Sequence, residues 1–358
     1  MRLISRSLSI GLAVLATSSG CHDTEVLGVP EEHGPYGLLA RGRLGVYNGG
    51  VDRAAPAQPC QDDARHRQFD FWLGDWNVTA ANGAGGSTNQ IRSGLDGCVV
   101  SESWTAANGI RGRSINAFDP DLGEWHQTWV SSQPQGHLRM AGGVHGDTMV
   151  LGGTRVTPAG VQIFDEYRWY VLSSGQVVQA WKLDVPAQDL HLSGALTYTR
   201  APSVTPPAET QTAPCKPGGL QPNARQLDFF HGEWTVAAEH GPALGTASIT
   251  SDLSGCLTEE SYATDKGYAA TSFFYWDPVS QAWWRTYIDS EGERVELRGA
   301  LIDGRLVLTG TERDADGRSL NVRVTLEPVS ADVVRQEWAV SEDGEAWETE
   351  MALVFTRR

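Results

Sequence analysis

The chain has no apolar run long enough to cross a bilayer as a helix. Its longest candidate, Leu8 to Ala16, falls far short of the roughly 20 residues that a transmembrane helix needs. Positive charge is also scarce: Lys and Arg number 28 against 44 Asp and Glu, a formal net charge of −16, which disfavours nucleic acid and anionic lipid as partners. CxxC and HxxxH spacings do not accompany the cysteines, so a metal centre is not expected. No segment sustains the 3.6-residue apolar period of a long helix.

What is present begins with an export signal over residues 1–20. Arg2 and Arg6 precede the apolar stretch, and small residues lead to Cys21. This segment resembles the lipobox of bacterial lipoproteins, which implies that Cys21 becomes the lipidated first residue of the mature chain. Ser18 departs from that pattern, in which an apolar residue is usual. The alternative is cleavage near Thr17 to Ser19 and a soluble secreted protein. Under the first reading the protein sits in the bacterial cell envelope and meets the membrane only through its lipid anchor.

Five cysteines leave one to explain apart from pairs, and Cys21 is that one. The others fall as Cys60 with Cys98 and Cys215 with Cys256, which in an oxidising compartment predicts one disulfide in each half.

The halves are copies. "FDFWLGDW" at 69–76 is answered by "LDFFHGEW" at 227–234, and Trp76, Cys98, Glu102, Asp119-Pro120 and Trp125 each recur 158 positions later. Beyond that the offset falls to 157, where "QAWKL" around Trp181 answers "QEWAV" around Trp338. The expected organisation is a signal peptide at 1–20, a tether at 21–59, a first domain at 60–200, a Pro-rich linker at 201–214 and a second domain at 215–358. Each copy reads as about ten short strands separated by turn sequences such as "DPDLG", "TPAG", "DSEG" and "DADG". The predicted fold is all-β: two tandem up-and-down antiparallel barrels, which close on themselves and leave no edge strand.

Gly-x-Trp on the first strand with Thr-Arg ending the last resembles the lipocalin and calycin superfamily. The fuller pattern, with "DGC", "ESW" and "FDP", is similar to a group of bacterial lipocalin-like domains of unknown function. That likeness covers both copies and implies that Trp76 with Arg200, and Trp234 with Arg357, cover the closed ends of the barrels, a guanidinium lying over an indole face.

Strand alternation then gives the inward faces. In the first copy it turns Glu102, Trp104, Gln127, Trp129, Gln179 and Trp181 inward. In the second it does the same for Glu260, Tyr262, Arg285, Tyr287, Gln336 and Trp338. A few polar groups among aromatics form the pattern of a ligand site, so the expected function is to bind a small, largely apolar or amphipathic molecule. Glu260 has Arg285 as a partner. Glu102 faces Gln127 instead and is expected to take its donor from a guest.

The alternative is an adaptor with filled barrels that binds another envelope protein. An enzyme using Glu102 as a base is a weaker reading, and no catalytic residue is assigned. No cofactor is expected. Haem is the alternative there, but His126, His137, His145 and His191 of the first copy have no histidine counterparts in the second, which has only His231 and His240.

Overall fold

The computed structural model describes residues 58–133, 136–208, 215–313 and 318–358. The export signal, Cys21, most of the tether, the end of the linker and the "DADG" turn lie outside the described residues. Among those that are described, no helix is long and apolar enough to cross a membrane.

The first barrel runs through β1 (Gly74–Ala80), β2 (Ser87–Gly94), β3 (Val99–Thr105), β4 (Arg111–Asp119), β5 (Glu124–Ser131), β6 (Leu138–His145), β7 (Thr148–Val156), β8 (Gln162–Val171), β9 (Val177–Val185) and β10 (Leu190–Ala201). The second follows the same plan with β11 (Gly232–Ala238), β12 (Ala243–Asp252), β13 (Leu257–Thr264), β14 (Ala269–Asp277), β15 (Ala282–Asp289), β16 (Arg294–Ile302), β17 (Arg305–Arg313), β18 (Ser319–Ser330), β19 (Val333–Ser341) and β20 (Glu348–Arg357). Every strand pairs antiparallel with its sequence neighbours, and first pairs with last, as in Trp76 opposite Arg200 and Trp234 opposite Arg357. Alternation builds the core directly. On β18, Val322, Val324 and Leu326 are fully buried, while Arg323, Thr325 and Glu327 between them point outward.

The repeated aromatic motif is the plug of each barrel together with its first strand. Short 3₁₀ turns at Ala64–Arg67 and Asp70–Trp72 carry Phe69 and Trp72 into the core of the first barrel, where their rings stack at 5.0 Å and meet Trp125 and Trp169. Leu227 and Phe230 take those places in the second. The indole N–H of Trp76 donates to the Trp72 carbonyl at 2.8 Å, and that of Trp234 to Phe230 at 3.0 Å. The Arg200 and Arg357 guanidinium carbons lie 4.4 and 4.2 Å from the ring centroids of Trp76 and Trp234.

This stacking explains the glycine in Gly-x-Trp. A Cβ on Gly74 or Gly232 would fall 2.4 or 2.1 Å from the arginine Nη1, and both glycines have φ near +140°, at +136° and +143°. The disulfides Cys60–Cys98 and Cys215–Cys256 tie each plug segment to the turn before β3 or β13, one bridge to a copy. They accord with an oxidising compartment.

The barrels pack wall to wall. All eight residues of β15 are buried, because Trp283, Arg285 and Tyr287 face inward while Trp284, Thr286 and Ile288 face the other barrel. There they join Val99, Ile115, Ala117 and Val130 of the first barrel in one apolar cluster. Thr128 and Thr286, equivalent positions in the two copies, share a hydrogen bond at 2.9 Å, which places a pseudo-two-fold axis between them. Polar contacts on one side of the axis break that symmetry. Arg111 and Arg113 reach Asp252 at 2.7 and 3.0 Å, Arg113 also meets Glu259, and the Arg139 guanidinium lies 3.5 Å from the Trp284 ring centroid.

Replacing Trp234 by Ala removes a fully buried indole and the platform under Arg357, and should cost about 3 to 5 kcal/mol in equilibrium unfolding. An unchanged unfolding midpoint would contradict this account of the closed end.

Candidate functional site

The middle layer of each barrel holds one glutamate, and the two copies neutralise it differently. In the second, Glu260 is 4% exposed and its Oε2 accepts from Arg285 Nη2 at 2.7 Å and from the Ser272 hydroxyl at 2.8 Å. The Arg285 guanidinium is framed by the rings of Phe274, Tyr287 and Trp338, at 4.8 to 5.3 Å from their centroids.

In the first barrel the cation is gone and an amide network stands in its place. Glu102 is 3% exposed, and it accepts from Asn89 Nδ2 at 2.6 Å and the Ser114 hydroxyl at 2.8 Å. Gln127 donates to Asn116 Oδ1 at 2.7 Å, and Asn116 donates to the Val100 carbonyl at 2.7 Å. The expectation that Glu102 needs a donor from a guest is therefore corrected: the chain supplies two. With no cation nearby, burial outweighs these hydrogen bonds and pushes the Glu102 carboxyl up to about 7. Sequence reasoning missed Asn89, whose counterpart is Ala247. The signal was the alternation of β2, which turns Asn89 to the same side as buried Ile91.

The remaining candidates divide between layers. Gln179 accepts from the Tyr198 hydroxyl at 2.9 Å and so belongs to the satisfied interior. Gln336 is buried, and its Oε1 meets no donor among the described residues. Trp104, Trp129 and Trp181 lie further along their strands, half-buried at the open end. Trp104 and Trp129 meet edge to face at 6.0 Å, and Gly112 leaves the room that the Trp129 ring occupies, since a Cβ there would lie 2.1 Å from it. The buried indole N–H of Trp104 finds no acceptor among the described residues. In the second barrel Tyr262 and Tyr287 replace Trp104 and Trp129, and Trp338 replaces Trp181.

The histidines sit elsewhere. His126 and His137 face the second barrel, His137 pairing with the Trp276 carbonyl at 3.0 Å, and burial pulls the pKa of both down. His145 is exposed, and His191 is on the surface beside Asp184. None of the four points into the first barrel, so they do not fit an interior haem. Two cavities adjoin the barrels from outside. One of about 340 Å³ lies in the cleft between them, lined in part by Asp63, Arg65, His66, Asp119, Glu293 and Arg294. One of about 290 Å³ lies against the outer face of β2 to β4.

Fold and interior together define a tandem ten-stranded barrel protein in which each copy keeps a buried glutamate, Glu102 or Glu260, in its middle layer. No family model matches the chain, and no curated protein matches it. Among solved structures it is similar to a "putative outer membrane protein" of Bacteroides fragilis NCTC 9343, at 10% identity and TM-score 0.18, over 81% of this chain and 99% of that one. A second is a protein of unknown function from the DUF3598 family of Nostoc punctiforme PCC 73102, at 12% identity and TM-score 0.19, over 83% and 99%. Likeness at these scores carries no weight here, and the tandem-barrel architecture rests on the strand pairing.

Glu102 gives a pH test. Its folded pKa, about 7, is raised above the ordinary 4.5, so its contribution to stability is fully present below about 4.5 and is lost as pH rises through 7. Between pH 4.5 and 8 the native protein should lose about 3 kcal/mol more unfolding free energy than Glu102→Gln, measured by urea titration. Equal losses in the two proteins would show that Glu102 is ionised at its ordinary pKa.

Proposed function

We propose that the protein is an exported, envelope-anchored binding protein that takes a small amphipathic molecule at the open mouth of its first barrel. The observation that carries this reading is the set of three half-buried indoles at that mouth, of which Trp104 presents a buried N–H without an acceptor among the described residues. Such a donor fits a carbonyl or hydroxyl oxygen on a guest whose apolar body lies on Trp129 and Trp181. The polar floor is not part of the binding surface in this reading, because Glu102 and Gln127 are occupied by their neighbours. The calycin resemblance agrees with an open-ended barrel that receives a guest, and the export signal with Cys21 supplies the anchor.

Titrating the intrinsic fluorescence of the full chain with 2-decanone should give a saturable change. Trp104→Phe should weaken binding about fivefold, the worth of one net hydrogen bond. Replacing Cys21 by Ser should move the protein from the membrane to the soluble fraction, and retention at the membrane would refute the lipid anchor.

A second reading has its own support. The closed half and the middle layer of each barrel are filled by side chains buried to within a few per cent, as at Trp72, Trp76, Trp125 and Trp169. That favours an adaptor whose surfaces bind another envelope protein. Absence of any saturable fluorescence response would move the assignment there.

A further inference from the structure

The mouth of the second barrel carries opposite chemistry to that of the first. β15 ends at Asp289, the following turn brings Glu293 to the start of β16, Glu312 stands near the end of β17, and Glu350 lies on the rim in β20. Asp289 is fully buried and accepts three hydrogen bonds. Its Oδ1 accepts the backbone N–H groups of Glu291 and Glu293 at 2.9 Å each, and its Oδ2 accepts the Tyr268 hydroxyl at 3.0 Å.

Glu293 and Glu312 are different. They are 5% and 3% exposed, and neither oxygen of Glu293 nor Oε2 of Glu312 meets a donor among the described residues. Burial, with repulsion from Asp289, Glu312 and Glu350, holds the Glu293 carboxyl well above its usual range. Burial and Glu350 push Glu312 up to about 7. Arg285 in the layer below is held by Glu260, and Arg294 pairs outward with Glu296, both pairs being buried. The first barrel shows what balance looks like at this level: Arg155 stands where Glu312 does, and it pairs with buried Asp165 at 2.8 Å.

Beneath the carboxylates lies an aromatic floor. The Tyr268 and Tyr287 hydroxyls are hydrogen-bonded to each other, Tyr262 meets Tyr268 edge to face at 6.1 Å, and Tyr287 meets Trp338 at 5.4 Å. Three oxygens without a donor among the described residues, in a barrel end that also holds these rings, match a primary ammonium, which brings three N–H donors and is attracted to aromatic rings. A metal ion fits less well. Calcium takes six to eight oxygens, and among the described residues no group of three or more His, Cys, Asp or Glu is arranged to hold a metal.

We propose that the open end of the second barrel is a binding site for an organic primary amine, whose ammonium is held by Glu293 and Glu312 and whose compact apolar body rests on Tyr287 and Trp338. This site is separate from the first mouth and stands or falls independently of it.

The test is calorimetric titration of the full chain at pH 8 and low salt with phenethylamine, its neutral isostere phenethyl alcohol, and calcium ion alone. Phenethylamine should bind at least tenfold more tightly than either of the others, and Glu293→Gln and Glu312→Gln should each weaken it at least tenfold. Both variants replace a buried carboxyl group that has no donor among the described residues, so their melting temperatures should equal or exceed that of the native protein. Equal binding of amine and alcohol by the native protein, a comparison that needs no variant, would overturn the proposal. So would calcium binding as tightly as the amine, or undiminished amine binding by the two folded variants.

Discussion

A carboxylate buried in the middle of a barrel has to be paired or hydrogen-bonded where it sits. Both copies place one glutamate at mid-height, and everything around that carboxylate is arranged to tolerate it. In the second copy a guanidinium answers charge with charge, and its flat faces meet three aromatic rings. In the first the cation is lost and three compensations appear together: Asn89 where Ala247 stands, Asn116 where Phe274 stands, and Gln127 where Arg285 stands. Removing Arg285 without these changes would strand a buried carboxylate, which costs several kcal/mol. The two middle layers are thus alternative solutions to one constraint, and each lies above a closed end packed with aromatic side chains.

Below the layer, sequence and structure agree closely because the geometry is demanding. Tryptophan, glycine and arginine at the closed end touch one another, so none can change alone, and both copies retain all three. Outside the barrels the constraint is looser. The Thr128–Thr286 contact and the apolar cluster keep the pseudo-symmetry, with Ile115 and Phe273, Ala117 and Tyr275, and Val130 and Ile288 at equivalent positions, while the salt bridges from Arg111 and Arg113 lie on one side of it. The wall-to-wall contact is built from residues that a single barrel would expose, Ile115 and Val130 among them, which makes the pair of barrels one folded unit.

The barrel architecture and the inward faces were legible because period-two alternation and a fixed repeat offset survive on nearly every strand. Two things were not. Asn89 was overlooked because its strand was not paired with that of Glu102, and one unpaired strand hides a donor. The carboxylates of the second mouth were overlooked because "DSEG" and "DADG" also read as ordinary turns, and the neighbours Glu293 and Glu312 were absorbed into them. Alternation along "LVLTGTE" does turn Glu312 to the same side as Leu306 and Leu308, but its burial depends on strands far away in sequence. The interface between the barrels left a trace in β15, whose residues are apolar or uncharged on both faces apart from Arg285 and Asp289, although two-sided burial becomes evident only once the partner wall is seen.

The mouths differ between the copies, from an Arg155–Asp165 pair in the first to carboxylates without a donor among the described residues in the second. Divergence above the middle layer and retention below it support the proposal that guests enter at the open ends. Crystals soaked with 4-bromophenethylamine and with a bromine-labelled ketone, read by bromine anomalous scattering, test this most directly. Peaks are predicted only above the Glu102 and Glu260 layers, on the side of Trp129 and Tyr287. A peak between either layer and the Trp76 or Trp234 plug would contradict the account.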